Sequence, residues 1–249
     1  MQMKIFACAM AAVLLLCLPA RSQQASDSTA PEQATKTATA KIVTAKSYMV
    51  AAANPVAAAT GAEILAQGGS AIDAAVVVQT ILGLVEPQSS GLGGGAFLVY
   101  YDAGKKRLVT LDGRETAPQR ATPQLFLDNN GQPLEFFAAV VGGRSVGTPG
   151  TVRLLQEAHN RYGALDWKTL FEPAAALADA GFAVSPRLAA LIAAEGDKLK
   201  TYERTKTYFF DAAGAPLKAG TILKNPDYAT TLRSIARNGA DAFYTGPIA

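Results

Sequence analysis

The sequence predicts a layered α+β domain in which helices pack against an antiparallel sheet. Two helical patterns, at residues 55–67 and 71–85, come first, and the second is apolar on nearly every side. Two strand-like runs follow, joined by a short polar turn at residues 102–106. A helix that is apolar all round must be buried between other elements, and a short turn pairs its strands antiparallel. Helices layered on a sheet that contains a hairpin are therefore the predicted architecture.

Length and composition limit the class of protein. The chain has 249 residues, 49% of them hydrophobic and 17% charged, which suits one large domain or two small ones. Two cysteines exclude a disulfide scaffold and a cysteine-rich zinc module. The single histidine, His159, excludes a multi-histidine metal site and leaves little room for a Ser-His-Asp triad. We therefore expect no metal and no cofactor.

Residues 1–22 have the pattern of a secretory signal peptide. A basic start is followed by the apolar run 5–18 and by a small-residue cleavage pattern at residues 20–22. The run is short for a membrane span, and a retained anchor or a lipid-modified Cys17 are the alternatives. Removing the segment takes away both cysteines and two basic residues, so the formal charge falls from +3 to +1. We expect a periplasmic or secreted protein that binds neither nucleic acid nor membrane.

The rest of the chain divides into a tether and one domain. Residues 23–46 are rich in Ala, Thr, Gln and Ser without a hydrophobic period, which predicts a flexible tether. The globular domain is expected to occupy residues 47–249. It opens with the apolar run Tyr48–Ala53, which is plausible as a buried strand.

Cap signals set the bounds of the first two helices. Asn54 precedes a proline, which is an N-cap followed by proline at the first helical position, and this predicts helix 55–67. Ser70 and Asp73 form a capping-box pattern that starts helix 71–85.

A hairpin and further helices follow. The runs 96–101 and 107–112 predict a β-hairpin. Residues 198–224 are polar and rich in turn residues. Helices are expected from the Thr148-Pro149 cap to about residue 161, at 166–180 with a possible break at Pro173, at 186–195, and at 226–238.

The glycine loop Gly91–Gly95 matches the spacing of a dinucleotide fingerprint but not its context. That fingerprint needs a strand before it and a helix after it, so that backbone N–H groups point at a pyrophosphate. Here a helix and a proline precede the loop and a strand follows it. The loop instead predicts close backbone approach where the buried helix crosses the sheet.

Arg114 is the strongest candidate for a binding residue. It ends the hairpin between Asp112 and Glu115, and a guanidinium held there can bind a carboxylate through two parallel hydrogen bonds, which lysine cannot do. The alternative, favoured by spacing alone, is a structural ion-pair network at the sheet edge. His159 is expected on a solvated helix face. No paired-carboxylate, metal-ligand or activated-nucleophile pattern is present.

Several long motifs follow one another along the chain. They are MVAAANPVAAATGAEILAQGGSAIDAAV, VEPQSSGLGGGAFLVYYD, LDGRETAP, VGTPGTVRLLQEAHNRYGALDWKTLFEPAAALADAGFAVSPRLA and DAFYTG. In this order they resemble the amino-terminal part of the large subunit of γ-glutamyltranspeptidase (glutathione hydrolase). The resemblance covers nearly all of residues 47–249.

The resemblance implies a fold and a chemistry. The family has the αββα sandwich of the N-terminal nucleophile hydrolases, and its zymogen cuts itself into a large and a small subunit. The new N-terminal threonine of the small subunit attacks the γ-glutamyl carbonyl of glutathione, and water, an amino acid or a peptide then accepts the γ-glutamyl group. A threonine and its own amino group replace the Ser-His pair, so scarce histidine is no objection.

The resemblance also implies residue roles. The arginine of the family's RE-x-AP motif binds the substrate α-carboxylate, which is Arg114 here, and Glu115 is implied to orient its guanidinium. The nucleophile, the oxyanion-hole glycines and the groups that hold the α-amine belong to the small subunit and are expected after Ala249. Thr148 and Thr151, at a predicted helix start, are poor substitutes for the nucleophile.

We therefore expect an incomplete sandwich, with no catalytic residue in this chain and no activity of the 249 residues alone. The missing small subunit is the expected partner, together with γ-glutamyl substrates and acceptors. Two alternatives stay open. One is a cephalosporin or glutaryl acylase that uses the same chemistry on another acyl group, and the other is a non-catalytic truncated remnant.

Overall fold

The computed structural model describes residues 42–249. The predicted signal peptide at 1–22 and most of the predicted tether at 23–46 therefore lie outside the described residues. Residues 42–49 are exposed and lie in no helix or strand. No helix within the described part of the chain is both long and apolar enough to cross a membrane.

Helices dominate the domain, with two small antiparallel pairs of strands. The strands are β1 (Ala96–Asp102) with β2 (Arg107–Gly113) and β3 (Phe182–Ala183) with β4 (Ile222–Leu223). The helices are α1 (Pro55–Ala66), α2 (Ala71–Val85), α3 (Phe136–Val140), α4 (Thr151–Tyr162), α5 (Glu172–Ala180), α6 (Pro186–Ala194), α7 (Gly196–Leu199), α8 (Glu203–Phe209), α9 (Pro226–Asn238) and α10 (Asp241–Tyr244). Single 3₁₀ turns cover Gly143–Ser145 and Trp167–Leu170.

Both predicted helix starts are confirmed at the atomic level. The Asn54 side chain accepts a hydrogen bond of 3.0 Å from the Val56 N–H at the start of α1. At the start of α2, the Ser70 hydroxyl accepts from the Asp73 N–H and the Asp73 carboxylate accepts from the Ser70 N–H, at 3.2 and 2.7 Å. These bonds satisfy N–H groups that have no partner within the helix, which is why the short polar signals set the bounds.

Helix α2 lies at the centre of the core, as its all-round apolar sequence predicts. Its side chains are buried or half-buried from Ile72 to Val85, and α4 and α5 pack against it. In its last turn, Gly83 leaves room for Tyr228 of α9, whose hydroxyl donates a 2.8 Å hydrogen bond to the Thr80 carbonyl. A Cβ at Gly83 would lie 2.6 Å from that hydroxyl oxygen. Burial also raises the pKa of Tyr228.

The predicted hairpin is confirmed, with one more residue at the end of each strand. Its register runs from Ala96 opposite Gly113 to Asp102 opposite Arg107. The inner face packs Leu98 and Leu111 against the helical core. The other face is exposed and carries four large apolar side chains, namely Phe97, Val99, Tyr101 and Leu108. One layer of helices therefore covers one face of the hairpin in the described residues.

Two local predictions are wrong. Tyr48–Ala53 lies in no strand of the described chain, and Val50 packs instead against Gly61 in α1. Thr148 does not cap α4, because its backbone pairs with that of Thr116 and the helix begins at Thr151. No prediction was made for the polar, turn-rich region 198–224, which contains helix α8 without a side-chain cap. The break at Pro173 is confirmed.

His159 is not on a solvated face, and that prediction is wrong as well. Its side chain is 13% exposed, with Nε2 lying 3.5 Å from Asp73 Oδ1 and 2.9 Å from the Leu165 carbonyl oxygen. Asp73 is fully buried, and its Oδ2 accepts hydrogen bonds from the backbone N–H groups of Ala164 and Leu165. The loop after α4 returns over the start of α2 and covers His159, which the pattern of α4 alone does not show.

Candidate substrate-binding site

Arg114 follows the last residue of β2, and a hydrogen bond to Asp112 holds its backbone. The Arg114 N–H donates a 2.9 Å hydrogen bond to Asp112 Oδ1. Of the two carboxylates that bracket Arg114 in the sequence, Asp112 therefore binds the backbone, and Glu115 is the one that meets the guanidinium. The Arg114 side chain is 70% exposed.

The Arg114 guanidinium meets Glu115 through one edge only. The Nε atom lies 3.4 Å from Glu115 Oε2. Among residues 42–249, no hydrogen bond is made to the terminal nitrogens of Arg114. The N–H groups on the two terminal nitrogens therefore keep their capacity to donate, and an arginine in this state can bind a second carboxylate through two parallel hydrogen bonds.

The Arg114 side chain opens onto a cleft of about 430 Å³, called here the Arg114 cleft. Its other walls are Glu115, Thr116, Ala117, Gly93 and the segment Ser145–Gly147. The segment is tied to the strand end, because Thr116 and Thr148 exchange two backbone hydrogen bonds of 3.2 and 2.8 Å. A cleft of this size is within the range of about 300–1,000 Å³ that is usual for small-ligand sites.

The glycine loop lies on the other side of Glu115. The Gly94 carbonyl accepts three hydrogen bonds, from the Gly150 N–H, the Thr151 N–H and the Thr151 hydroxyl, at 3.0, 3.2 and 3.0 Å. A second cleft of about 400 Å³ lies between this loop and α2, and Glu115 lines both clefts. The loop is followed by β1, as the sequence predicts. Close backbone approach to the buried helix is confirmed, because a Cβ added at Gly83 of α2 would lie 3.5 Å from the Gly91 Cα. The loop also lies against Glu115 and the segment 147–151.

A buried carboxylate anchors the entry to this loop. Glu86, which the sequence marks only as a helix end, is 3% exposed. Its Oε1 accepts from Asn54 Nδ2 at 2.9 Å, and its Oε2 accepts from Gln88 Nε2 at 2.5 Å and lies 3.4 Å from Arg187 Nη1. The other terminal nitrogen of Arg187 reaches Ser89 Oγ at 3.4 Å. Residues distant in sequence thus fix the start of the glycine loop.

The two threonines near the site are poorly placed for nucleophilic attack. Thr151 is fully buried, and its hydroxyl is engaged by the Gly94 carbonyl. Thr148 is held by the backbone pairing with Thr116. Among the described residues, no group of three or more His, Cys, Asp or Glu side chains could hold a metal ion.

Comparisons with known proteins show which family the chain resembles. The family model of gamma-glutamyltranspeptidase matches residues 57–249. The chain belongs to the γ-glutamyltranspeptidase family. Arg114 and Glu115 therefore lie within the matched region, directly after the β1–β2 hairpin of this chain.

Relatives and solved structures support the same assignment. The chain is 42% identical over 204 residues to the glutathione hydrolase proenzyme of Bacillus subtilis, covering 82% of this chain and 34% of that protein. It superposes on the Helicobacter pylori γ-glutamyltranspeptidase with a TM-score of 0.79 at 34% identity, over 84% of this chain and 59% of that one. It is also similar to a cephalosporin acylase from Bacillus halodurans, with a TM-score of 0.70, 31% identity and coverage of 87% and 40%.

These matches confirm the predicted α+β fold of the N-terminal nucleophile hydrolases. The chain spans about a third of the length of the curated relative from B. subtilis. The γ-glutamyltranspeptidase family consists of enzymes with hydrolase and transferase activity. The sequence does not show that the glycine loop and the segment before α4 both reach Glu115. The signal for this in the sequence is the second glycine-rich stretch, Val146–Gly150.

Proposed function

We propose that the protein containing this chain is a γ-glutamyltransferase and glutathione hydrolase. It cleaves the γ-glutamyl amide of glutathione through a threonine acyl-enzyme and passes the γ-glutamyl group to water, an amino acid or a peptide. One observation in the structure carries the proposal: the Arg114 guanidinium stands at a cleft, held at one edge by Glu115 and open at the other. Family membership supplies the reaction class.

Arg114 has the chemistry that a γ-glutamyl group requires. The α-carboxylate of that group lies at the far end from the amide that is cleaved, so a cation that binds it positions the substrate without touching the reacting atoms. The planar guanidinium can offer two N–H groups to the two carboxylate oxygens. Glu115 offsets the charge of Arg114 from the other side and restricts its orientation.

The remaining parts of the enzyme are proposals that rest on the family. A small subunit supplies the threonine nucleophile after the precursor cleaves itself, and residues 1–22 direct export to the periplasm or the medium. The B. subtilis relative is a proenzyme by name. The buried Thr151 and the paired Thr148 support a nucleophile outside residues 42–249.

Substrate analogues test the proposal directly. The full-length gene product should release p-nitroaniline from γ-glutamyl-p-nitroanilide, but not from the 4-aminobutyryl analogue, which lacks the α-carboxylate. The 249 residues expressed alone should release none. Equal turnover of both anilides would exclude the role given to Arg114, and robust turnover by the isolated chain would place the nucleophile within it.

An acylase is the second candidate, and the similarity to the B. halodurans cephalosporin acylase favours it. A glutaryl group carries the same terminal carboxylate as a γ-glutamyl group but lacks the α-amine. Arg114 would therefore serve either substrate, and only the amine distinguishes them. Faster release from glutaryl-p-nitroanilide than from γ-glutamyl-p-nitroanilide would select the acylase. A stop codon directly after codon 249 would instead support the remnant.

A further inference from the structure

The glycine loop has no role in the function proposed above, yet it lies against Glu115, the ion-pair partner of the Arg114 guanidinium. Glu115 is half-buried, with 34% of its side chain exposed. Three glycines from two separate segments approach it, namely Gly94 and Gly95 from the loop before β1, and Gly147 from the segment before α4. These three residues are called here the Glu115 socket.

The contacts in the socket leave no space for a side chain at two of the three positions. A Cβ at Gly95 would lie 2.5 Å from Glu115 Oε2, 2.8 Å from its Cδ and 2.9 Å from its backbone nitrogen. A Cβ at Gly147 would lie 2.9 Å from Glu115 Cβ and 3.0 Å from the Thr116 carbonyl oxygen. Separations below about 3.0 Å are well inside van der Waals contact, so something must move.

The socket is itself held in place on both sides. The Gly94 carbonyl is fixed by its three hydrogen bonds from Gly150 and Thr151. Gly147 is fixed by the backbone pairing of the adjacent Thr148 with Thr116. The loop and the segment therefore form two walls that close on Glu115.

The carboxylate oxygen that faces Gly95 is also the one that faces Arg114. Oε2 of Glu115 lies 3.4 Å from Arg114 Nε. Arg114 is otherwise 70% exposed, so this contact is what limits the orientations of its long side chain. A flexible arginine loses conformational entropy when it binds, whereas one that is already oriented loses less.

We propose that Gly95 is a positioning residue for substrate binding: by leaving room for the Glu115 carboxylate, it fixes the Arg114 guanidinium toward the Arg114 cleft. Gly147 leaves room for the Glu115 Cβ, where the side chain begins, and not for the carboxylate itself. This inference rests on the proposed function, in which Arg114 binds the substrate α-carboxylate. It gives the glycine loop a function in recognition, although no atom of Gly95 is required to touch the substrate.

Steady-state kinetics of the full-length protein with γ-glutamyl-p-nitroanilide tests the proposal. Gly95→Ala should raise KM about fivefold to tenfold, the cost of re-ordering one long side chain on binding, with kcat nearly unchanged. Gly94→Ala should raise KM much less, because its Cβ would lie 3.6 Å from Glu115 Oε1, an ordinary contact. Gly143→Ala is the matched control, since its Cβ would meet nothing within 4 Å.

A double-mutant cycle separates positioning from a general structural effect. If Gly95 acts through the Glu115 carboxylate, Gly95→Ala should raise KM far less in a Glu115→Ala background than in the wild type. Equal effects in the two backgrounds would overturn the proposal, as would a Gly95→Ala variant with wild-type KM.

If Gly95→Ala fails to fold, Glu115→Asp tests the same idea at a half-exposed position. Aspartate keeps the charge but is one methylene shorter and cannot reach the same place, so KM should rise. A wild-type KM for Glu115→Asp would overturn the proposal. A raised KM for Arg114→Lys with no effect at Gly95 or Glu115 would leave the proposed function standing and remove only this inference. An unchanged KM for Arg114→Lys would remove both.

Discussion

Replacing Arg114 with lysine tests the binding role most directly. Lysine keeps the positive charge but offers a point contact where the guanidinium offers two parallel N–H groups. A hydrogen bond to a charged group contributes about 1.5–3 kcal/mol. Because the Arg114 side chain is 70% exposed and solvent weakens its interactions, we take the lower part of that range. Loss of one such bond, about 1.5–2 kcal/mol, corresponds to a rise in KM of about tenfold to thirtyfold.

The α-carboxylate is remote from the amide that is cleaved, so its interaction with Arg114 should be the same in the ground state and the transition state. The expected result is therefore a higher KM with little change in kcat. The assay is initial-rate release of p-nitroaniline from γ-glutamyl-p-nitroanilide by the full-length protein. Arg161→Lys is the matched control, since Arg161 pairs on the surface with Glu157 in α4. A wild-type KM for Arg114→Lys, or an equal rise for Arg161→Lys, would refute the reasoning.

Three further variants test the packing around the site. Glu86→Gln should lower the free energy of unfolding in urea by about 1–3 kcal/mol, because a donor among Asn54, Gln88 and Arg187 loses its carboxylate acceptor. The control, Glu157→Gln on the surface, should lower it by no more than about 1 kcal/mol. Gly83→Ala should lower the urea midpoint, because the new Cβ would displace the Tyr228 hydroxyl. This is expected although alanine is the better helix former by about 1 kcal/mol. A higher urea midpoint would contradict the reasoning. The 249 residues expressed alone should associate through the exposed apolar face of the hairpin and scatter light. Phe97→Ser should reduce that scattering, because Phe97 lies on this face. Unchanged scattering would show that association does not depend on this face.

Much of the secondary structure could be predicted because its signals are local. The Asn54 cap and the Ser70–Asp73 capping box each act within three residues, and both are found with the expected hydrogen bonds. The burial of α2 follows from its own composition, since a helix without a polar face has no side to turn to water. The register of the hairpin follows from a turn of four residues between β1 and β2.

Predictions that depended on distant partners were the ones that were wrong. His159 has polar neighbours in the sequence, yet the loop at 163–166 returns over it and brings it to Asp73. Tyr48–Ala53 is apolar enough for a strand, but a strand needs a partner and Val50 packs on α1 instead. Thr148 precedes a helix, but its backbone groups pair with Thr116, more than thirty residues earlier.

The candidate site divides in the same way. Arg114 and Glu115 could be chosen from the sequence because the RE-x-AP motif is contiguous and its resemblance to the family is specific. The motif alone could not show that Asp112 binds the backbone while Glu115 meets the guanidinium.

The sequence by itself determined the starts of α1 and α2, the hairpin and the burial of the central helix, because each depends on residues a few positions apart. Arg114 was chosen through the resemblance of a contiguous motif to the family. Only the tertiary structure decided what holds Arg114 in place. Gly95, Glu115 and Gly147 are separated by twenty or more residues along the chain and meet because strand pairing and the start of α4 bring their backbones together. A glycine in the sequence shows that space is needed, but only the fold shows which side chain occupies that space.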